Sequence, residues 1–107
     1  MMYQLCGKIE GRPRDEVVAE FAVAADRIEQ HSGGYASVYN PVTSNRLSDP
    51  QERRNRQDIT YLLKNTQALI VLPDWEDDVN SCLLVAVAKS TACPIMTLDE
   101  LINRKEQ

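Results

Sequence analysis

The stretch Asp74-Trp75-Glu76-Asp77-Asp78 gathers four carboxyl groups and an indole, and Asn80-Ser81 follow almost at once. Carboxyl groups this close can divide into a nucleophile and an acid when their surroundings push their pKa values apart. Asp77 and Asp78 are the residues to carry that chemistry if the chain is an enzyme. Trp75 offers a face on which a base can stack. Asp74, Asp77 and Asp78 lack the alternating spacing of a calcium loop, and no metal is assigned to them. A second polar group surrounds the glycines of Gly7-Lys8-Ile9-Glu10-Gly11-Arg12. Lysine and arginine both suit a phosphate, so Lys8 and Arg12 are candidate anion ligands beside backbone that glycine allows to turn sharply. The spacing is neither a dinucleotide fingerprint nor a Walker loop.

These groups need a scaffold, and the apolar pattern supplies one. Tyr3 to Cys6 reads as a first strand. From Asp15 to Gln30, Val17, Val18, Phe21, Ala24, Ala25 and Ile28 recur at helical spacing, with Pro13 and Asp15 as start signals and Gly33-Gly34 as the stop. Tyr35 to Tyr39 alternates as a second strand that ends at Asn40-Pro41, and a polar loop is expected from Pro41 to Leu47. Asp49-Pro50-Gln51-Glu52 has the form of a capping box opening a helix to about Lys64, which should bury Ile59, Leu62 and Leu63. Ala68 to Leu72 is a continuous apolar run, as in a central strand covered on both faces. A largely apolar helix from Asn80 to Ala92, a short strand from Pro94 to Leu98 and a helix capped by Asp99 complete the order β-α-β-α-β-α-β-α. Such alternation predicts an α/β fold: a small Rossmann-like (flavodoxin-like) parallel sheet of about four to five strands with helices on both faces. So small a sheet predicts a homodimer, or a higher homo-oligomer, that covers apolar helix surface.

The bulk properties narrow the field. A chain of 107 residues has room for one domain, 1–107. No apolar run approaches the ~20 residues needed to cross a bilayer. The N-terminus has no basic segment followed by a long apolar core, so a cytoplasmic location is expected. A net charge of -4 disfavours binding to a nucleic-acid backbone. Cys6, Cys82 and Cys93 are odd in number and without CxxC spacing, which predicts three small buried residues rather than disulfides or a zinc site.

Five segments in order resemble the nucleoside 2-deoxyribosyltransferase-like family, in particular a short branch common in bacteriophages and bacteria. They are the loop Leu5-Cys6-Gly7-Lys8-Ile9-Glu10-Gly11, the helix segment Phe21-Ala22-Val23-Ala24-Ala25, Asn40-Pro41, Arg56-Gln57-Asp58-Ile59 and Leu72-Pro73-Asp74-Trp75-Glu76. Enzymes of this family cleave or exchange the bond between a base and a deoxyribose. A glutamate on the helix after the third strand attacks the anomeric carbon, by the logic of retaining glycosidases. Matching through Trp75-Glu76 places Leu84 where that glutamate belongs, and residues 82–88 contain no acid at all. Thr66-Gln67 stand where the family has Cys-Asp, and Lys8 where it has proline.

The resemblance therefore implies a binder of a nucleotide or nucleotide derivative whose glycosyl-transfer site has degenerated. Such a protein would sequester or sense a nucleotide signal and need no cofactor. The expected ligand residues are Gly7, Lys8, Gly11, Arg12, Asn40, Asp58, Trp75, Glu76, Asp78, Asn80 and Ser81. Two alternatives stand beside it: an N-glycosidase or deoxyribosyltransferase working through Asp77 or Asp78, and a protein-interaction module, for example a phage protein acting on a host protein.

Overall fold

The computed structural model describes residues 1–44 and 48–103. Four strands, β1 (Met2–Cys6), β2 (Ser37–Tyr39), β3 (Ala68–Val71) and β4 (Ile95–Thr97), form one sheet of order β2-β1-β3-β4. Every pairing in it is parallel. The chain links them through α1 (Arg14–His31), α2 (Pro41–Ser44), α3 (Gln51–Asn65) and α4 (Val79–Ser90), and it adds α5 (Leu98–Ile102). A 3-10 turn, Trp75–Asp77, precedes α4. This is the small Rossmann-like arrangement that the sequence pattern predicts, with four strands.

Helices cover both faces because the central strands alternate. Leu5 and Ile70 point into a core with Val17, Phe21, Ala24 and Ile28 of α1 and Leu101 of α5. Cys6, Leu69 and Val71 point the other way, against Leu62 of α3 and Leu84, Val85 and Ala88 of α4. Period-two side chains on β1 and β3 therefore serve two separate cores. Gly7 ends β1 at a close crossing: a Cβ there would lie 3.0 Å from the Leu72 Cβ and 3.3 Å from the Phe21 ring.

Several local expectations are corrected. The second strand starts only at Ser37, and Tyr35 is exposed; Gly33 and Gly34, both at positive φ, spend the preceding residues on a turn. Pro41 to Ser44 form a helical turn with Pro41 and Val42 buried, where a polar loop was expected; residues 45–47 of that loop lie outside the described residues. Pro50, not Asp49, occupies the N-cap position of α3, with no side-chain cap. Leu63 points outward at 57% exposure. Thr97 caps α5 in a reciprocal capping box with Glu100, a role expected of Asp99. Of the cysteines only Cys6 is buried; Cys82 is exposed and Cys93 is half-buried.

Candidate functional site

The first crossover carries the chain from β1 outward to β2, and the next returns it past β1 to β3. The order thus reverses between β1 and β3, and ligands of open α/β sheets bind beyond the carboxyl ends of strands at such a point. Three segments border it here: the loop after β1, the first half of α3 and the first turn of α4.

Asp58 stands at the centre. It is only 2% exposed, and its carboxylate accepts from the Tyr39 hydroxyl at 3.0 Å and from the Asn80 amide at 3.2 Å. Its own carbonyl accepts from the side chain of Gln4 at 3.0 Å, and Gln4 in turn accepts from Thr66. The Tyr39 ring stacks on Tyr61 with centroids 4.0 Å apart. A buried carboxylate on α3 is thereby fixed from β1, β2 and α4 at once.

Among the described residues, two buried side-chain oxygens have no hydrogen-bond partner, Asn80 Oδ1 and Asn55 Oδ1. Asn55 lies three residues before Asp58, on the same stripe of α3. Buried acceptors are ordinarily paired, and leaving one open costs roughly 1–3 kcal/mol. Asn80 bonds the Asp58 carboxylate and Asn55 lies one turn before it on α3, so both open acceptors belong to one polar cluster that wants hydrogen-bond donors.

The other predicted residues separate into distinct roles. Asp78 is the N-cap of α4: its Oδ2 accepts from the Ser81 N–H at 3.0 Å and lies 2.8 Å from the Ser81 hydroxyl. Ser81 Oγ is also 3.0 Å from the Gly7 carbonyl, so it ties the first loop to α4. Asn40 turns inward and caps α2, accepting from the Val42 N–H at 3.0 Å. Trp75 packs half-buried against the α3–α4 core, while Glu76 and Asp77 are exposed on the 3-10 turn. Among the described residues no trio of acids, cysteines or histidines is gathered closely enough to hold a metal.

Lys8, Gly11 and Arg12 lie further along the loop. The Arg12 guanidinium bonds the Lys8 carbonyl at 2.9 Å, Glu20 at 2.7 Å and Glu16 at 3.0 Å. Hydrogen bonds to Glu20 and then Glu16 hold its pKa above the ordinary arginine value. Leu84 is 1% exposed and belongs to the core under α4. The nearby Cys6 thiol is pushed up to about 12, chiefly by burial, and stays protonated at neutral pH.

The structure thus brings Asp58 and Asn80 together, and separately Gly7, Asp78 and Ser81. Lys8, Gly11 and Arg12 stay on the far part of the loop. Tyr39, which bonds Asp58, and Asn55 are not among the residues expected from the sequence. The available signal was the polar pair Asn55 and Asp58, spaced i, i+3 in line with the buried Leu62 of α3. In comparisons with known proteins, no family model, no curated protein and no solved structure matches the chain.

Proposed function

We propose that the chain binds a nucleotide or nucleotide derivative at the polar cluster around Asp58 and performs no glycosyl transfer there. The observation that carries this reading is the pair of buried acceptors without a partner among the described residues: Asn80 Oδ1, whose amide bonds the Asp58 carboxylate, and Asn55 Oδ1, one turn before Asp58 on α3. Ribose hydroxyls and exocyclic amines are the donors such a cluster wants, and a carboxylate near the strand ends is a common ribose partner. The resemblance to the nucleoside 2-deoxyribosyltransferase-like family points the same way. Leu84, sealed in the core, supplies no nucleophile. Of the two acids that would replace one, Asp78 is committed to capping α4 and Asp77 lies exposed on the 3-10 turn.

The test is incubation with mixed nucleosides, nucleotides and NAD, followed by mass spectrometry of bound and free fractions. One intact compound should be retained, and Asn80→Ala should weaken its binding by about ten-fold or more, the worth of a good polar contact. Release of free base over time would refute the reading in favour of a glycosidase.

A second reading, self-association, rests on the outer surface of α4 and α3. Val79 is 81% exposed and Leu83 lies one turn on, while Leu63 of α3 is likewise bare. Sedimentation at micromolar concentration should show a dimer that Leu83→Glu dissociates; a wild-type monomer would dismiss it.

A further inference from the structure

A cavity of about 270 Å³ lies past the loop after β1, lined by Glu10, Gly11, Arg12, Arg14, Arg54 and the buried Val17, among others. Its size falls just below the ~300 Å³ at which pockets for drug-sized molecules begin. It suits one small group rather than a whole nucleotide.

Its charges are arranged unevenly. Arg12 is held by two carboxylates, Glu16 and Glu20, and by the Lys8 carbonyl, and so acts as a fixed wall. Arg54 differs. Its side chain is only 12% exposed, yet its 2.7 Å ion-pair partner, Glu10, is 55% exposed. The Arg54 Nε donates to the Asp49 carbonyl at 3.2 Å, which holds the guanidinium in place. A well-anchored arginine therefore faces a carboxylate free to swing into solvent. The Arg14 side chain is exposed and has no hydrogen bond or ion pair with any described residue. The starts of α1 and α3 both flank the cavity, and each has a proline at the N-cap position with no side-chain cap. Uncapped N–H groups at helix starts favour an anion. Asp15, Glu16 and Glu52 also stand in those first turns, and Glu16 is already held by Arg12.

We propose that this cavity is an anion site for a phosphate or pyrophosphate group, bound by Arg54 and Arg14, and that the Glu10 carboxylate occupies the place the anion takes. Binding exchanges one ion pair on Arg54 for another: Glu10 moves out to water and the incoming oxygens take up its hydrogen bond. The inference does not rest on the polar cluster around Asp58. The group arrives either as free anion or as the phosphate arm of a nucleotide, and the chemistry at Arg54 is the same.

The experiment is a titration of the isotope-labelled full chain with sodium pyrophosphate, and in parallel with ADP, following backbone amide shifts by NMR. Pyrophosphate should shift the amides of residues 11–15 and 54 saturably, with affinity that falls as salt rises. Glu10→Gln removes the competitor and should tighten binding roughly two- to five-fold, the range set by a half-exposed ion pair. Arg54→Gln should weaken binding about ten-fold or more. Arg14→Gln, a change on an exposed residue that leaves the core intact, should also weaken it. ADP binding much tighter than pyrophosphate, with that advantage lost in Asp58→Asn, identifies the nucleotide arm; equal affinities identify the free anion. Absence of saturable shifts at residues 11–15 and 54, or weaker binding by Glu10→Gln, would overturn the proposal whatever happens at Asp58.

Discussion

Leu84→Glu restores the carboxyl group at the position the resemblance assigns to the nucleophile, and its stability reports what position 84 faces. The leucine is 1% exposed and packed with Cys6, Leu69, Val71, Val85 and Ala88. Burying a leucine side chain is worth about 1.5–3 kcal/mol. A carboxyl group in such surroundings has its folded pKa raised by up to about 3–5 units, at 1.36 kcal/mol per unit. At pH 7 protonation limits the electrostatic part to about 4 kcal/mol, so the whole cost is on the order of 5–7 kcal/mol. That rivals the entire stability of many domains, about 5–15 kcal/mol. The sign follows from the raised pKa. The variant's electrostatic deficit is absent below the unfolded value near ~4.3 and grows as pH rises towards the folded value. Urea unfolding at pH 4.5, 6 and 7.5, each against wild type, measures it. Leu84→Met should cost less than about 1.5 kcal/mol, and Leu84→Ala about 2.7–5 kcal/mol. A Leu84→Glu protein within about 1 kcal/mol of wild type at pH 7.5, with no pH trend, would refute the reasoning. Position 84 would then open to polar surroundings rather than to the core.

Two further outcomes test the packing. Gly7→Ala sets a Cβ 3.0 Å from the Leu72 Cβ, so a denaturant midpoint should show a loss of about 1–3 kcal/mol. With the Cys6 thiol pushed up to about 12 in the folded state, stability should be intact below pH ~8.5, the ordinary thiol value, and fall as pH rises beyond it. Cys6→Ala should flatten that alkaline slope in thermal melts, and a thiol reagent at pH 8 should modify Cys82 first and leave Cys6 untouched.

The strands and long helices were legible because their signals extend over many residues. The apolar run at Ala68–Val71 and the 3.6-residue recurrence through α1 leave little room for other readings. What was lost was short or three-dimensional. α2 has four residues, fewer than periodicity can reveal. At α5, Thr97 and Asp99 are both plausible caps, and only backbone geometry selects Thr97. Apolar composition makes α4 read as buried or placed at a subunit contact; within the single chain Val79 and Leu83 face outward, because only one side of α4 meets the sheet. In the candidate site, Asp58, Asn80 and Ser81 were found through sequence resemblance. Tyr39 and Asn55 were not, since their role arises from where β2 ends and how α3 is rotated.

Gln4, wholly buried in the middle of β1, places a constraint on how the sheet assembles. Its amide is satisfied by the Asp58 carbonyl and Thr66, 54 and 62 residues away along the chain. Side chains alternate across a strand, so sliding β1 by one residue against β3 would turn Gln4 into the α1–α5 core. There an unpaired amide costs about 1–3 kcal/mol, and Leu5 would be sent to the amide's former partners. The apolar residues of β3 tolerate either face and would not by themselves reject the slip. A single glutamine therefore acts as the registration mark of the central strand pair, and it does so only where α3 supplies the Asp58 carbonyl.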